Sequence, residues 1–597
     1  MRLLRELDYV RQTLPTLLAL RKVRPDSTDT VADVVEGVVD AHGSRIALLT
    51  DDEAMTYGEL DRLANQVANH FAALGVRQGD VIALDMENRP LYVAIWYGLA
   101  KLGAVTALVN TNLTGAPLAH CLNVAEPAHI VLGNELAGRF ESARDQLDRS
   151  CPIWTDGLAV PGGCDLLDAL ADVSDVRPDR AKRRGLTAGS TDLFYIFTSG
   201  TTGLPKAAHF SHMRYLTTAI GAASALRFEP DDRQYVCLPL YHTAGGVMAL
   251  GAALMSGASS ALVPKFSAHR FWSDAVKFEA TSFQYIGELM RYLVNTPRVP
   301  EEQQHRIEKC MGNGLRPEIW NEVSTRFGIS RIVEFYGATE GNVALVNLDG
   351  TPGSVGRSPG WLRKLSGMHL VRFDVENEEV ERGPDGFCIE CRPGEVGEAI
   401  GRISQNQKVA IGHFEGYSDP SATEKKILRD VFEHGDAFFR TGDLLRYDDN
   451  DYFYFIDRIG DTFRWKGENV ATTEVAEVMS VLPDVAEANV YGVAIPGTDG
   501  RAGMASIVPD GGPVDLARLY EATERDLPSY ARPLFIRVRS KMEVTGTFKH
   551  RKVDLVNEGF DPSAISDDLY FRDSSAGAYT KLDDGLFQRI NRGELRL

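Results

Sequence analysis

The chain has 597 residues, of which 44% are hydrophobic and 25% charged, and it carries a formal net charge of −19. This length exceeds what one hydrophobic core supports, so we expect several domains of ordinary globular composition. The acidic balance argues against a nucleic-acid-binding protein, which needs a basic face, although a local pocket can still bind a small anion.

The N-terminal segment, residues 1–25, combines leucines with basic residues. Because charges interrupt its apolar run, it lacks the hydrophobic core of a secretory signal. Two interpretations stay open: a helix docked on its own domain, or a basic amphipathic helix in peripheral contact with an anionic membrane. The seven cysteines form no disulfide framework and indicate a reducing cytoplasmic location, with the inner membrane surface as the alternative. The pair Cys388 and Cys391 has no partner pair, so no zinc is expected.

Strand and helix signals alternate from residue 46 to about residue 262. Thr56 and Glu59 have the spacing of a capping box, so a helix is expected to begin there. Two long apolar stretches, 91–109 and 244–264, each fit a buried helix followed by a buried strand rather than a membrane span. The alternation predicts a layered α/β architecture with parallel sheet.

The segment FYIFTSGTTGLPK, residues 194–206, changes abruptly from apolar to polar. Its first half suits a buried strand and its second half a loop that wraps phosphates. Glycines let backbone N–H groups approach a polyphosphate, and hydroxyls and a lysine add donors and positive charge. The Walker A order is absent, because Lys206 follows Pro205 and precedes Ala207. The predicted phosphate-binding residues are Thr198, Ser199, Gly200, Thr201, Thr202, Gly203 and Lys206.

A second motif, VEFYGATEGN at residues 333–342, runs from a strand into a glycine turn. It presents Tyr336, whose ring can stack on a purine, together with Thr339 and Glu340. A hydroxyl and a carboxylate can hold phosphate and magnesium, which prefers oxygen ligands. An ordinary glycine turn is the alternative for this segment taken alone.

Three shorter motifs follow in the second half of the chain. In RTGD, residues 440–443, Asp443 follows a tight turn and can accept both hydroxyls of a ribose. The pair DR at 457–458 precedes FRWKGENV at 463–470. A late glycine-bent loop, VTGTFK at 544–549, ends on Lys549. Each motif is weak evidence for a function when taken alone, and the default interpretation of Lys549 is a solvated surface lysine.

Two other enzyme classes can be rejected from their motifs. GRSPG at 356–360 has the G-x-S-x-G pattern of a serine hydrolase, but the residue after the serine must donate its N–H to the oxyanion, and Pro359 has none. GNGLRP at 312–317 lacks the last glycine of a dinucleotide-binding fingerprint.

Taken together and in this order, the motifs resemble those of adenylate-forming enzymes, and the resemblance covers nearly the whole chain. Four further sequence segments narrow the resemblance to one family of these enzymes: GLAKLG at 98–103, VNTN at 109–112, DTFRWKGENV at 461–470 and INRGELRL at 590–597. They are similar to the fatty acid transport protein, or very-long-chain acyl-CoA synthetase, family.

This resemblance implies a ligase that joins long-chain to very-long-chain fatty acids to coenzyme A. ATP and Mg²⁺ are the implied cofactors, an acyl-adenylate is the intermediate, and pyrophosphate and AMP are released. Two alternatives remain: a fatty acyl-AMP ligase that feeds a carrier protein, and a membrane-associated lipid-uptake protein with secondary ligase activity. The sequence leaves the preferred chain length and the oligomeric state open.

The resemblance also implies a role for each motif residue. Residues 198–206 hold the triphosphate, with Thr198 and Glu340 as magnesium ligands. Asp443 and Arg458 hold the ribose, and Lys549 bridges the fatty carboxylate and the α-phosphate. The implied catalytic residues are Lys549, His242, Thr339 and Glu340, with His242 near the fatty carboxylate. The implied contacts around the adenine and the acyl group are Tyr336, Gly337, Ala338, Asn313 and Gly314.

The implied fold class is α/β. The N-terminal adenylating domain, residues 1–459, has layered α/β subdomains and a small β-barrel-like part. The many glycines and short apolar runs of residues 389–451 predict antiparallel strands and turns. A small mobile α+β domain with an extended tail, residues 460–597, follows and carries Lys549. Gly460 takes the hinge position, where glycine tolerates large backbone rotation.

Overall fold

The computed structural model describes residues 2–157, 160–183, 185–198, 205–375, 377–406, 408–465, 468–496, 498, 500–542 and 552–595. Over these residues the α-helices are α1 Arg2–Leu20, α2 Val31–His42, α3 Tyr57–Ala73, α4 Pro90–Leu102, α5 Gly115–Ala125, α6 Ala137–Arg144, α7 Leu166–Leu170, α8 His212–Leu226, α9 Leu250–Ser256, α10 Phe271–Lys277, α11 Gly287–Asn295, α12 Pro317–Arg326, α13 Gly360–Ser366, α14 Pro420–Glu424, α15 Thr472–Ser480, α16 Leu516–Asp526, α17 Val553–Glu558 and α18 Asp584–Asn591.

The strands up to the second motif are β1 Ile46–Leu49, β2 Ala54–Thr56, β3 Val81–Asp85, β4 Val105–Leu108, β5 His129–Leu132, β6 Ile153–Thr155, β7 Cys164–Asp165, β8 Asp192–Thr198, β9 Lys206–Ser211, β10 Arg233–Val236, β11 Ser259–Leu262, β12 Ser282–Ile286, β13 Lys309–Asn313 and β14 Arg331–Gly337. The later strands are β15 Ala344–Asn347, β16 Gly356–Arg357, β17 Met368–Asp374, β18 Glu379–Val380, β19 Val396–Arg402, β20 Ile427–Arg429, β21 Ala437–Tyr447, β22 Tyr452–Arg458, β23 Phe463–Trp465, β24 Glu468–Val470, β25 Val485–Val493, β26 Ala502–Pro509, β27 Phe535–Val538, β28 Asp568–Asp573 and β29 Ala578–Lys581.

Two largely parallel sheets form the first part of the chain. One has the order β15, β14, β13, β12, β10, β11, β1, β2, and the other β7, β6, β5, β3, β4, β8, β9. The edge strands β2, β15 and β9 pair antiparallel with their neighbours. The predicted parallel α/β architecture is therefore confirmed, but the alternation reaches β14 instead of ending near residue 262.

The glycine-rich middle of the chain folds as an antiparallel sheet, with the order β16, β22, β21, β19, β17, β18 and with β20 beside β21. After β22 the chain forms a separate sheet of a different type. The sheet β25, β26, β27, β28, β29 is mixed and packs with α15 and α16 around a separate hydrophobic cluster. These two parts match the predicted antiparallel segment and the predicted small α+β region.

In helices α3 and α4, individual residues of the sequence determine where a helix begins and how closely the two helices pack. The capping box is present, since Thr56 accepts from the Glu59 backbone and Glu59 accepts from the Thr56 backbone. A Cβ on Gly98 would lie 2.5 Å from the Ala64 carbonyl oxygen, so only glycine permits this close approach of the two helices. Lys101, the one charge in the apolar stretch 91–109, is fully buried.

Helix α1 is docked on its own domain by one face. Tyr9 is buried and donates its hydroxyl to the Arg357 carbonyl oxygen, and Thr16 bonds Ser224 of α8 at 2.7 Å. The opposite face is exposed and apolar, with Leu7, Leu14 and Leu18 exposed by 59%, 47% and 55%. Among the described helices, none is both long and apolar enough to cross a membrane.

Candidate active site

The predicted phosphate loop lies between β8 and β9, which pair antiparallel at the edge of one sheet. The register places Thr198 opposite Lys206, so the residue that enters the loop and the lysine that leaves it are neighbours. The other predicted phosphate contacts lie outside the described residues: Ser199, Gly200, Thr201, Thr202 and Gly203. Their roles stay predictions.

A carboxylate, a phenol and a guanidinium meet between β14, β21 and β22. The Tyr336 hydroxyl donates to Asp443 Oδ2 at 2.7 Å, and Arg458 Nε lies 3.2 Å from Asp443 Oδ1. Burial, and then the Asp443 carboxylate, raise the pKa of Tyr336, which therefore keeps its proton near neutral pH. The structure thus brings together three residues predicted to bind the adenosine part of a nucleotide.

The turn before Asp443 explains how this carboxylate is positioned. Gly442 has a φ of +77°, a left-handed conformation that glycine adopts without strain. The Thr441 hydroxyl accepts from the Asp443 N–H at 3.1 Å and donates to the Ala399 carbonyl oxygen at 2.7 Å. Arg458 lies directly opposite Asp443 in the antiparallel register. The sequence Thr-Gly-Asp therefore fixes the carboxylate through backbone geometry.

Glu340 is connected to the phosphate-loop side of the site by Tyr417. The Tyr417 hydroxyl donates to Glu340 Oε1 at 2.6 Å, and Lys206 Nζ lies 5.7 Å from the centre of the Tyr417 ring. Burial, and then Glu340, raise the pKa of Tyr417, so it also acts as a neutral donor. One phenol therefore contacts both groups predicted to serve the phosphates, the carboxylate through its hydroxyl and the ammonium through its ring.

Thr339 connects the second motif to the segment that carries His242. Its hydroxyl lies 3.1 Å from the Thr243 hydroxyl. Arg214 of α8 donates to the carbonyl oxygens of Thr339 and Gly341, and its Nε lies 3.2 Å from a Glu415 carboxylate oxygen. The turn that holds Gly337 and Ala338 is thus braced from outside the motif.

His242 lies at the start of a π-helix, Thr243–Ala249, and its Nδ1 accepts from the Ala244 N–H at 3.2 Å. The two glycines that follow allow very close backbone packing. A Cβ on Gly245 would lie 2.3 Å from the Pro239 carbonyl oxygen, and one on Gly246 would lie 2.1 Å from that of Leu240. His242 thus immediately precedes the threonine that contacts Thr339.

Asn313 ends β13, and Gly314 follows with a φ of +82°. A Cβ on Gly287 would lie only 1.8 Å from the Gly314 carbonyl oxygen, so α11 begins tightly against this turn. The buried Glu334 accepts from the Leu315 N–H, and burial raises its pKa well above the usual range. Glu334, two residues before Tyr336, therefore holds the turn that follows Asn313 and Gly314 through the Leu315 N–H.

Comparison with known proteins agrees with this geometry. Residues 35–398 match the AMP-binding enzyme family, and residues 474–549 match the AMP-binding enzyme C-terminal domain. Long-chain fatty acid transport protein 1 of Mus musculus is 42% identical over 587 residues, or 97% of this chain and 90% of that protein. The chain belongs to the AMP-binding enzyme family, among the long-chain fatty acid transport proteins. Long-chain fatty acid transport protein 2 of Rattus norvegicus is also 42% identical, over 92% of this chain and 88% of that protein.

Solved ligases share the fold of this AMP-binding enzyme. An anthranilate CoA ligase in complex with anthranoyl-AMP superposes with a TM-score of 0.74 at 22% identity, covering 88% of this chain and 96% of that chain. A fatty acyl CoA synthetase of Mycobacterium tuberculosis superposes with a TM-score of 0.61 at 23% identity, over 89% and 98%. The predicted fold class, family and enzyme class are confirmed.

Magnesium is a predicted partner of this AMP-binding enzyme, and the residues present fit it. The ion takes oxygen ligands, commonly one or two carboxylates together with substrate phosphates. Glu340 offers a partly exposed carboxylate that accepts a hydrogen bond from Tyr417, and Thr198 offers a hydroxyl at the edge of the phosphate loop. In the described part of the chain no three His, Cys, Asp or Glu residues cluster as a metal site.

Sequence reasoning missed four residues of this site in the AMP-binding enzyme: Arg214, Glu334, Tyr417 and Lys426. Lys426 precedes β20, is partly buried, and donates from Nζ to the Thr441 carbonyl oxygen at 3.2 Å. Glu334 stands inside the second motif but was given no role there, and the other three stand in no motif. Tyr417 has a single structural signal, an isolated bridge to Ala208 of β9, which becomes visible only in the folded chain. Lys549, the predicted bridging lysine, lies outside the described residues.

Proposed function

We propose that this protein is an ATP-dependent ligase that joins long-chain fatty acids to coenzyme A through an acyl-adenylate. The observation that carries the proposal is the convergence of Asp443, Tyr336 and Arg458 beside the Glu340–Tyr417–Lys206 group. Together they offer a ribose acceptor, an aromatic ring and charges suited to phosphate. The fatty acyl substrate is inferred from the fatty acid transport relatives.

In the first half-reaction a carboxylate oxygen of the fatty acid bonds to the α-phosphorus of ATP. The bond from that phosphorus to the oxygen shared with the β-phosphate breaks, and pyrophosphate leaves with the electron pair. Two anions must approach each other, so Lys206 and the predicted Lys549 offset their repulsion. Magnesium, when bound by Glu340 and Thr198, would neutralise phosphate charge.

In the second half-reaction the sulfur of CoA bonds to the acyl carbon, and the bond to the adenylate oxygen breaks. AMP leaves with the electron pair, and the thiol proton is lost to water. The proposed small domain, residues 460–597, rotates between the two steps, since Lys549 and CoA need the same approach to the adenylate. Gly460 has a φ of +90°, which suits a glycine hinge.

The fatty acid is proposed to enter beside His242. Thr243 follows it and contacts Thr339, so the acyl carboxylate would meet the nucleotide at this junction. The π-helix Thr243–Ala249 and α9 form one wall of mainly small and apolar side chains, buried except for Thr243, Met255 and Ser256. Such a wall suits an alkyl chain, which gains about 0.8 kcal/mol for each buried CH₂.

A fatty-acid length series, with and without CoA, tests this proposal. We expect pyrophosphate release with acids of about palmitate length, and thioester formation when CoA is added. Activity with acetate or benzoate but not with palmitate would overturn the substrate assignment. Pyrophosphate release with a bound acyl-adenylate that CoA does not discharge would favour a fatty acyl-AMP ligase instead.

A second proposal concerns location, and it rests on the exposed face of α1. Leu7, Leu14 and Leu18 share that face with Arg11, and Arg21 directly follows the helix; all five are exposed. An apolar stripe flanked by arginines suits peripheral contact with an anionic membrane on the cytoplasmic side. A role in fatty acid uptake would follow from ligation at that surface.

A further inference from the structure

The side chain of Lys426 is a cation with unused hydrogen-bonding capacity. An ammonium has three donors, and among the described residues Lys426 makes one hydrogen bond, to the Thr441 carbonyl oxygen at 3.2 Å, while its Nζ lies 5.8 Å from the centre of the Phe439 ring. No carboxylate of the described chain lies within ion-pair distance of its Nζ. Burial lowers the pKa of Lys426, an effect that the charges of Glu340 and Asp443 oppose.

Two cations that are more deeply buried than Lys426 have fixed anionic partners. The Lys101 ammonium lies 2.7 Å from Asp61 and 2.9 Å from Glu36. The Arg326 guanidinium lies 2.8 Å from Glu302. Since removing a cation from water is costly unless an anion accompanies it, an unpaired one at Lys426 requires another explanation.

The position of Lys426 supplies that explanation. A Cβ on Gly442 would lie 3.4 Å from its Nζ, so the ammonium rests against the turn that presents Asp443. The neighbouring carboxylates are already engaged. Asp443 is engaged by Tyr336 and Arg458, Glu340 by Tyr417, and Glu398 by Arg440. The remaining donors of Lys426 are therefore not used by these carboxylates, although Glu340 and Asp443 lie close enough to act on its charge.

We propose that Lys426 binds the phosphate of the adenylate, with its ammonium donating to phosphate oxygens between Asp443 and Glu340. This inference rests on the proposed nucleotide site but not on the identity of the acyl substrate. The contact would persist from ATP through the acyl-adenylate to AMP, because that phosphate is common to all three. Lys426 would thereby offset the repulsion between the phosphate and the two carboxylates.

The test compares AMP with adenosine, which lacks the phosphate. Lys426→Met removes the charge and keeps an apolar stem of similar length. Lys426→Gln keeps a donor for the Thr441 carbonyl oxygen. We expect both variants to bind AMP roughly 10- to 100-fold more weakly by calorimetry, the loss typical of a hydrogen bond to a charged group, and to bind adenosine as the wild type does. Lys426→Arg should recover part of the AMP affinity.

Lys425→Met is the matched control, because Lys425 is the exposed neighbour of Lys426 and should leave both affinities unchanged. Equal loss of AMP and adenosine in Lys426→Gln, with an unchanged melting temperature, would mean that the lysine only supports the turn and would overturn the inference. Unchanged AMP binding in both neutral variants would overturn it as well. Wild-type protein that binds neither ligand would instead contradict the proposed nucleotide site itself.

Discussion

At the scale of single residues, the site uses neutral phenols to hold carboxylates in place. Tyr336 donates to Asp443, and Tyr417 donates to Glu340. Burial raises the pKa of each phenol, so each acts as a neutral hydrogen-bond donor to its carboxylate. Replacing the carboxylate and the phenol of each pair one at a time can therefore distinguish their contributions to activity.

Asp443→Ala is expected to raise the KM for ATP by roughly 10-fold or more, because the ribose hydroxyls lose a charged acceptor. Tyr336→Phe keeps the ring and removes only the hydroxyl, so its effect should be several-fold smaller. Steady-state kinetics with saturating fatty acid measures both. A larger loss in Tyr336→Phe than in Asp443→Ala would mean that the phenol, rather than the carboxylate, contacts the nucleotide.

Glu340→Ala should slow acyl-adenylate formation by roughly 10²-fold, as is common when an electrostatic contact to the transition state is removed. The fold should survive, since Glu340 is only partly buried. Tyr417→Phe removes the phenol donor but leaves the carboxylate, and it should slow the reaction much less. Pyrophosphate release at several magnesium concentrations provides the measurement. A folded Glu340→Ala protein with near-normal release would refute the assignment.

At the scale of elements, α1 shows why two interpretations of one segment can both hold. Its inner face carries Tyr9 and Thr16 and docks on the domain, while its outer face exposes Leu7, Leu14 and Leu18. Composition alone could not show which residues face the domain and which face outward, because leucines and arginines are spread along the whole segment. The structure assigns the leucines to the surface, where burying them requires a partner.

Leu14→Ser combined with Leu18→Ser should weaken binding to anionic vesicles by roughly 10-fold or more, since each leucine loses up to about 1.5–3 kcal/mol of apolar burial. High salt should weaken it further by screening Arg11 and Arg21. Vesicle flotation measures the bound fraction. Leu365→Ser, at an exposed leucine of α13, is the control and should bind as the wild type does. Wild-type protein that resists carbonate extraction would contradict a peripheral contact.

At the scale of the whole molecule, the sequence predicted what short motifs encode and missed what long-range pairing creates. Thr-Gly-Asp specifies its own turn through Gly442, so Asp443 could be found directly. Tyr417 and Lys426 belong to no local sequence motif, and a lone tyrosine or lysine is ordinarily interpreted as a surface residue. They reach the site only through the pairing of β9 with residue 417 and of β20 with β21.

The last prediction concerns the two half-reactions, and it tests the proposed rotation of the small domain. Lys549→Ala should abolish acyl-adenylate formation from ATP but leave conversion of supplied acyl-adenylate and CoA to thioester nearly intact. The first step brings two anions together and needs a bridging cation, whereas the second joins a thiol to an acyl carbon and expels AMP. Lys541→Ala, at an exposed lysine just before this segment, is the control for charge and should retain both steps. Separate assays of the two half-reactions decide the outcome. Equal loss of both in a folded Lys549→Ala protein would reject alternation between two domain positions, or would assign the adenylating role to another lysine.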